Sequence, residues 1–350
     1  MKSVEKISEP HFLDLMRNYK MSQIRLLSGE SNPELAKLIS KQLGVPLTSI
    51  KKTVFANTEM NIEIQETVRG CDCYIIQTGG AYQGRSVNDH LMELYLLVDA
   101  CRLSSARSVQ VIIPCYPYAR SDKKDAPRVS IAGALISRNL ADLGVDRIIA
   151  LDLHSGQIQG FSQIPFDNFY CMNLHIENLK NTVFKNLTKE QINEKFILVS
   201  PDVGAVKLIL KYAAKLEMSH VIMNKQRNYS KPNEILKTDL IGGDIKGKIT
   251  IIIDDIIDTA STVIAAVGEL IKFGASGVII IASHGILSGP AIERINSCDA
   301  IIKVIVTNTL PQEENIMKCG KVQVVDVSNP LAKMIERLQL NDGSVSKLFD

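Results

Sequence analysis

Three aspartates close an apolar run in the stretch ITIIIDDIIDTAST, from Ile249 to Thr262. The run Ile249 to Ile253 reads as a central strand, which puts Asp254 and Asp255 at its mouth. DTAST then leads into the amphipathic VIAAVGELIKF, so Asp258, Thr259, Ala260, Ser261 and Thr262 fall at a helix N-terminus. Free backbone N–H groups there, with the hydroxyls of Thr259, Ser261 and Thr262, suit a phosphate. Carboxylates repel a phosphate unless they face sugar hydroxyls or a metal ion. Acids for hydroxyls and a hydroxyl-lined helix end for phosphate together describe a phosphorylated sugar. A structural N-cap accounts for one acid, not three.

Other reactive residue types also follow apolar runs. Asp152 and His154 (DLH) follow RIIA, Asp202 (SPD) follows FILV, and Ser283 and His284 follow VIII. In open parallel sheets ligands sit beyond the carboxyl ends of the strands, so this shared placement says more than any one residue. NKQR offers Lys225 and Arg227 two apart, which a strand presents on one side. Alone, such a pair reads as a solvated strand end. YARSDKKDAPR carries Arg120, Lys123, Lys124 and Arg128 with nothing apolar to bury, as a lid would. The trio Phe55, Asn57 and Glu59 in FANTE is, by itself, a surface strand.

Short β-branched runs alternate with helical periodicity along the chain, from SQIRLLSG to AIIKVIVTN. Near-continuous apolar strands between helices imply an α/β fold with parallel sheets covered on both faces. A length of 350 residues allows two domains. FDNFYCMNLH interrupts the pattern, suggesting a boundary near Asn168. The expected division is an extension over 1–21, an α/β domain over 22–168 joined by 331–350, and a second over 169–330. In the extension, Phe12, Leu13, Leu15 and Met16 can form one face of a short helix. Composition is globular, with 45% apolar and 22% charged residues. The net charge of +2 gives no field for nucleic acid or an anionic membrane. Seven cysteines, an odd number, read as reduced thiols in a cytoplasmic protein. Cys71 and Cys73 have no second pair nearby to complete a metal site. No apolar run approaches the ~18 residues of a membrane span, and the N-terminus lacks a signal core.

The run at Asp254 to Thr262 resembles the phosphoribosyl-diphosphate motif of type I phosphoribosyltransferases. IPCYPYARSDKKD, ALDLHSGQIQGF, VSPDVGAVK, SHGILSGPAIERI, VTNTLPQEE, FANTE and NDGSVSKLF narrow this to the ribose-phosphate pyrophosphokinase family. The resemblance covers roughly residues 22 to 350, with the motifs in family order. It implies two tandem phosphoribosyltransferase-like domains, each a mostly parallel sheet flanked by helices. It also implies transfer of the diphosphoryl group of ATP to ribose 5-phosphate. It assigns Lys225 and Arg227 to catalysis. ATP falls to Phe55, Asn57, Glu59, Arg120, Ser121, Asp125 and His154. Ribose 5-phosphate falls to Arg227, Asp254, Asp255, Asp258, Thr259, Ala260, Ser261 and Thr262. Mg²⁺ falls to His154, Asp202 and Asp152. FANTE reaches a neighbouring subunit's ATP site in the family, implying a dimer or a hexamer of dimers. Phosphate and ADP are the effectors that the resemblance brings.

This sequence departs from the family pattern at several points. Ser121 stands where glutamine is common, Ala126-Pro127 where the loop is usually Lys-Ser, and Gln163 where an acid is frequent. Ala260-Ser261 replaces a glycine-containing pair, Gly156 a serine, and Lys347 a tyrosine. These changes raise an alternative, a weak or inactive regulatory subunit of a synthetase complex. A phosphoribosyltransferase consuming the same diphosphate would not account for FANTE, DLHSGQIQGF or the Lys-x-Arg pair.

Overall fold

The computed structural model describes residues 9–202, 204–227, 235–345 and 348, with side chains outside 9–13, 225–227 and 235–238. Two compact units divide the described chain, one of Met1–Phe169 with Ser328–Asp350, the other of Tyr170–Val327.

In the first unit the elements run α1 (Glu9–Ser22), β1 (Ile24–Ser28), α2 (Pro33–Leu43), β2 (Ile50–Val54), β3 (Met60–Ile64), β4 (Asp72–Ile76), α3 (Val87–Leu103), β5 (Ser108–Ile112), α4 (Ala132–Asp142), β6 (Arg147–Leu151) and β7 (Phe166–Phe169). The second unit holds α5 (Met172–Asn181), α6 (Lys189–Lys195), β8 (Phe196–Ser200), α7 (Val206–Leu216), β9 (His220–Arg227), β10 (Ile235–Ile241), β11 (Ile249–Ile257), α8 (Ser261–Lys272), β12 (Gly277–Gly285), α9 (Ala291–Asn296), β13 (Ile301–Thr307), α10 (Glu313–Lys318) and β14 (Val322–Val325). The chain then returns to the first unit as α11 (Ser328–Leu340).

The first sheet is parallel throughout, ordered β1-β4-β5-β6-β7, and the hairpin β2-β3 stands apart as an antiparallel pair. Its helices start where the sequence signals them. Asn32 accepts from Leu35 N–H at 3.3 Å ahead of Pro33. Ser86 forms a reciprocal capping box with Asp89. Gly44, at φ 71°, closes α2 in the left-handed conformation that glycine adopts without cost. Leu27, Ile75, Val111 and Ile148 from the strands and Leu94, Leu97 and Leu140 from the helices fill the core. α1 packs along α11, where Lys20 Nζ donates to Leu340 O at 2.9 Å and Arg17 pairs with Glu336. The apolar face expected on α1 is not covered at its described positions: Leu15 is 46% and Met16 42% exposed. The side chains of Phe12 and Leu13 lie outside the described residues.

The second sheet runs β10-β9-β8-β11-β12-β13-β14, parallel except for β10. Alternation along β11 sends Ile251 and Ile253 into one core and Ile252 into the other, so both faces are covered. Several elements carry too weak a pattern to be read from sequence. β7 and β14 span only four residues, and the hairpin strands β2 and β3 are largely exposed.

Candidate active site

β11 does not stop at Ile253. It continues to Ile257 because the equally long β12 pairs with it, Asp254 opposite Ala282 and Ile257 opposite Gly285. On the other side, pairing with β8 ends at Ile252 opposite Val199. Asp254 and Asp255 therefore sit inside a strand rather than at its mouth, but beyond the carboxyl end of the neighbouring strand. The loop leaving β8 carries Asp202, whose carboxylate accepts from Ala205 N–H at 3.0 Å.

These carboxylates act on one another. Burial first, then the charge of Asp255 and that of Asp202, push the Asp254 carboxyl up to about 8 from its ordinary 3.8. Asp255 N–H donates to Asp254 at 2.9 Å, which offsets only part of this. The folded chain thus holds a proton there that the unfolded chain releases near pH 3.8. Stability contributed by this group is present in acid and is lost as pH rises toward 8. Asp254→Asn is therefore expected to raise the Tm of the ligand-free protein by several degrees at pH 8 and by less at pH 5. Each kcal/mol moves Tm by roughly 2–4 °C at this domain size. Thermal unfolding at the two pH values tests this, and an equal gain at both would refute the assignment.

After Ile257 the chain turns through Asp258, Thr259 and Ala260 into α8. Ala260 takes φ 59° and ψ 2°, which is left-handed backbone. That conformation costs an L-residue roughly 1–2 kcal/mol. This chain has alanine at the strained position. No side chain caps the first turn of α8, so its positive end is open to a ligand. Thr259, Ser261 and Thr262 are exposed around it, and the hydroxyls of Thr259 and Ser261 lie 3.1 Å apart. Ser288 Oγ donates to Asp258, and Arg294 Nη1 donates to Thr259 O at 2.7 Å. Sequence reading quoted the segment holding Ser288 and Arg294 only as a family motif. Nothing in residue spacing announces a contact made across 30 positions.

Lys225 and Arg227 lie on β9, with Lys225 opposite Thr238 and Arg227 opposite Ile235 on β10. Their side chains lie outside the described residues.

In the first unit, Asp152 and His154 follow β6. Asp152 has φ 37°, its N–H donates to Phe169 O at 2.7 Å, and Leu153 N–H donates to Asn168 Oδ1 at 3.0 Å. The turn presents His154 as an exposed side chain. Ser121 fastens the base of the cationic loop: its Oγ donates to Ser130 O at 3.3 Å and accepts from Ala132 N–H at 3.2 Å. Beyond that clasp Lys123, Lys124, Asp125 and Arg128 are exposed, as is Arg120 before it.

Phe55, Asn57 and Glu59 form the exposed turn of the β2-β3 hairpin, with Phe55 51% exposed. The turn is closed by Phe55 N–H to Glu59 O at 2.8 Å and Glu59 N–H to Asn57 Oδ1 at 3.2 Å. Sequence reading missed the charge cluster at the hairpin's root. Buried Glu93 accepts from Arg85 at 3.1 Å and Gln77 at 2.9 Å, and Lys52 of β2 pairs with Glu30 and, at 3.7 Å, with Glu93.

Among the described residues no three His, Cys, Asp or Glu side chains converge as a metal cage. Asp152 and His154 belong to the first unit and Asp202 to the second. No helix of the described residues is long and apolar enough to cross a membrane. None of the seven cysteines is in a disulfide.

Residues 24–144 match the model of the N-terminal domain of ribose phosphate pyrophosphokinase. Residues 206–350 match that of the phosphoribosyl synthetase-associated domain. The structure is similar to that of phosphoribosylpyrophosphate synthetase from Mycobacterium smegmatis, with a TM-score of 0.81 and 35% identity over 91% of this chain and 99% of that one. Partial likenesses extend to a purine phosphoribosyltransferase from Pyrococcus horikoshii (TM-score 0.22, 20% identity, 28% of this chain and 66% of that) and an adenine phosphoribosyl transferase from Trypanosoma brucei (0.29, 21%, 43% and 68%). With two family models in tandem and a synthetase matched over nearly its full length, this chain belongs to the ribose-phosphate pyrophosphokinase family.

Proposed function

We propose a division of labour among this chain's residues for the family reaction, in which ATP and ribose 5-phosphate give 5-phosphoribosyl 1-diphosphate and AMP. The observation that carries it is the pairing of strand-borne carboxylates with the uncapped first turn of α8 in a chain of this family. The anomeric hydroxyl of ribose 5-phosphate attacks the β-phosphorus of ATP. A bond forms from that oxygen to phosphorus, the bond from the β-phosphorus to the bridging oxygen of AMP breaks, and AMP leaves. Such transfers need positioning and charge neutralisation rather than a covalent nucleophile.

Thr259, Ala260, Ser261 and Thr262 hold the 5-phosphate at the positive end of α8. Asp254, Asp255 and Asp258 take the ribose hydroxyls, and Arg227 is assigned to the same substrate. Lys225 and Arg227 face the diphosphoryl group. Phe55, Asn57, Glu59, Arg120, Ser121, Asp125 and His154 serve ATP. With Ser121 engaged at the base of its loop, its part is to shape that loop. Phe55, Asn57 and Glu59 project from an exposed turn, which suits a reach into a neighbouring subunit of a dimer or a hexamer of dimers. Seven cysteines outside any disulfide fit a reducing compartment, the cytoplasm.

Mg²⁺ is the fitting ion, because mutually repelling carboxylates supply hard oxygen donors. Magnesium commonly takes one or two carboxylates plus substrate phosphates rather than an all-protein cage. Each unit offers donors of its own, Asp202 in the second and Asp152 with His154 in the first, and the ion would neutralise charge on the transferring phosphates. AMP formation by the purified chain with ATP, ribose 5-phosphate and magnesium tests the whole assignment. No AMP from the chain alone would sink it.

Regulation by phosphate and ADP is proposed in weakened form. Arg128 and Asn168 remain as donors, as does Ser344, while Ser346 and Lys347 lie outside the described residues. Gly156 contributes no hydroxyl, and a Cβ built there meets nothing within 4 Å, so a serine fits. Gly156→Ser is expected to sharpen phosphate activation roughly tenfold in apparent affinity, the worth of one donor to a charged group. A phosphate titration at fixed substrates checks it. Strong activation of the unmodified chain with no gain in the variant would refute the proposal.

A further inference from the structure

Three consecutive residues, the last of β11 and the first two of the turn before α8, are gripped by one later segment. Ile257 O accepts the N–H groups of Ile286 at 2.9 Å and Leu287 at 3.1 Å. The Asp258 carboxylate accepts from Ser288 Oγ. Thr259 O accepts from Arg294 Nη1 at 2.7 Å. The next residue is Ala260, held left-handed at φ 59° and only 4% exposed. On the gripping side Leu287 is also left-handed, at φ 51°, and 5% exposed. Ala260, Val263 and Leu287 belong to one core cluster. Non-glycine residues persist in this region of backbone space only where their surroundings over-determine them. Here the over-determination comes from hydrogen bonds to each of the three residues ahead of Ala260.

We propose that Ile286–Arg294 is a strap that holds the turn in its left-handed form, with Ser288 and Arg294 as positioning residues for ribose 5-phosphate. The proposal rests on the reading of 258–262 as the sugar-phosphate cradle. The left-handed turn at Ala260 is what delivers the chain into α8 with the helix's first N–H groups unobstructed by a cap. With glycine at position 260 the turn would hold itself, because glycine enters this conformation without steric cost. With alanine, the conformation needs an external hold. Arg294 acts through Thr259 O rather than on the reacting atoms.

The test is steady-state kinetics on the full chain with a double-mutant cycle. Arg294→Met is expected to raise the KM for ribose 5-phosphate about tenfold and Ser288→Ala about threefold, the range for losing one hydrogen bond. The KM for ATP should stay near that of the unmodified chain, which also shows that each variant folds. Ala260→Gly alone is the reference of the cycle, and its own KM for ribose 5-phosphate is measured first because residue 260 belongs to the cradle. Combined with Arg294→Met or Ser288→Ala, it should recover most of the lost affinity, because the turn no longer needs the strap. Persistence of the full defect in both glycine backgrounds would overturn the strap, assigning Arg294 to direct contact or to general stability. A parallel rise in the KM for ATP would overturn it as well. If Asp258→Ala and Thr262→Val leave ribose 5-phosphate binding intact, the cradle reading itself fails and the strap falls with it. Impaired binding in those two, with no repair by glycine, removes the strap alone.

Discussion

Lys225→Ala is expected to lower kcat by about 10²–10³ while changing the Michaelis constants far less, the loss typical of one preorganised donor to developing charge. The expectation follows from its assignment to the charge that builds as the diphosphoryl group leaves AMP. β9 lies beside β8, whose following loop carries Asp202, so the strand bearing Lys225 runs along the acid-rich end of the second unit. An interaction made only in the transition state lowers kcat and kcat/KM together. Near-normal turnover with weakened ATP binding would move Lys225 to ground-state binding and leave the transferring group to Arg227. Single-turnover measurement separates the chemical step from product release.

Asp258→Ala is expected to raise the KM for ribose 5-phosphate by roughly 10- to 100-fold, as for a hydrogen bond to a charged group. Thr262→Val, which removes a neutral donor, should raise it about two- to tenfold. Both should leave ATP comparatively untouched. On the proposed reading Asp258 carries two tasks, a sugar contact and the bond that its carboxylate receives from Ser288 Oγ. Its removal therefore costs a sugar contact and part of the strap, whereas Thr262 stands exposed on the first turn of α8 and costs only the cradle. Isothermal titration with ribose 5-phosphate reads binding apart from turnover. Equal loss of both substrates would point to misfolding or to another site.

The sequence by itself determined what local chemistry can announce. Apolar runs alternating with helical periods required parallel sheets with both faces covered, and the chain has them. Asn32 before a proline, Ser86 with Asp89 and the glycine after α2 close helix ends locally in the structure, because caps are satisfied within a few residues. DTAST ahead of an amphipathic run announced the helix N-terminus at Ser261. Tertiary structure alone decided the rest, because the partners are far apart in sequence. β11 runs past its apolar run into Asp254 and Asp255 only because β12 extends beside it. The Asp254 carboxyl is pushed up because burial, then its neighbour Asp255 and last the carboxylate of Asp202, more than fifty positions earlier, act together. Ser121 shows the same limit, since its hydroxyl is engaged by Ser130 and Ala132 at the far end of a loop that folds back on it. The backbone of Ala260 is left-handed although alanine disfavours it, a conformation no residue-level preference would assign. Ile286, Leu287, Ser288 and Arg294 bond the three residues ahead of it, and only a folded sheet brings those groups within reach.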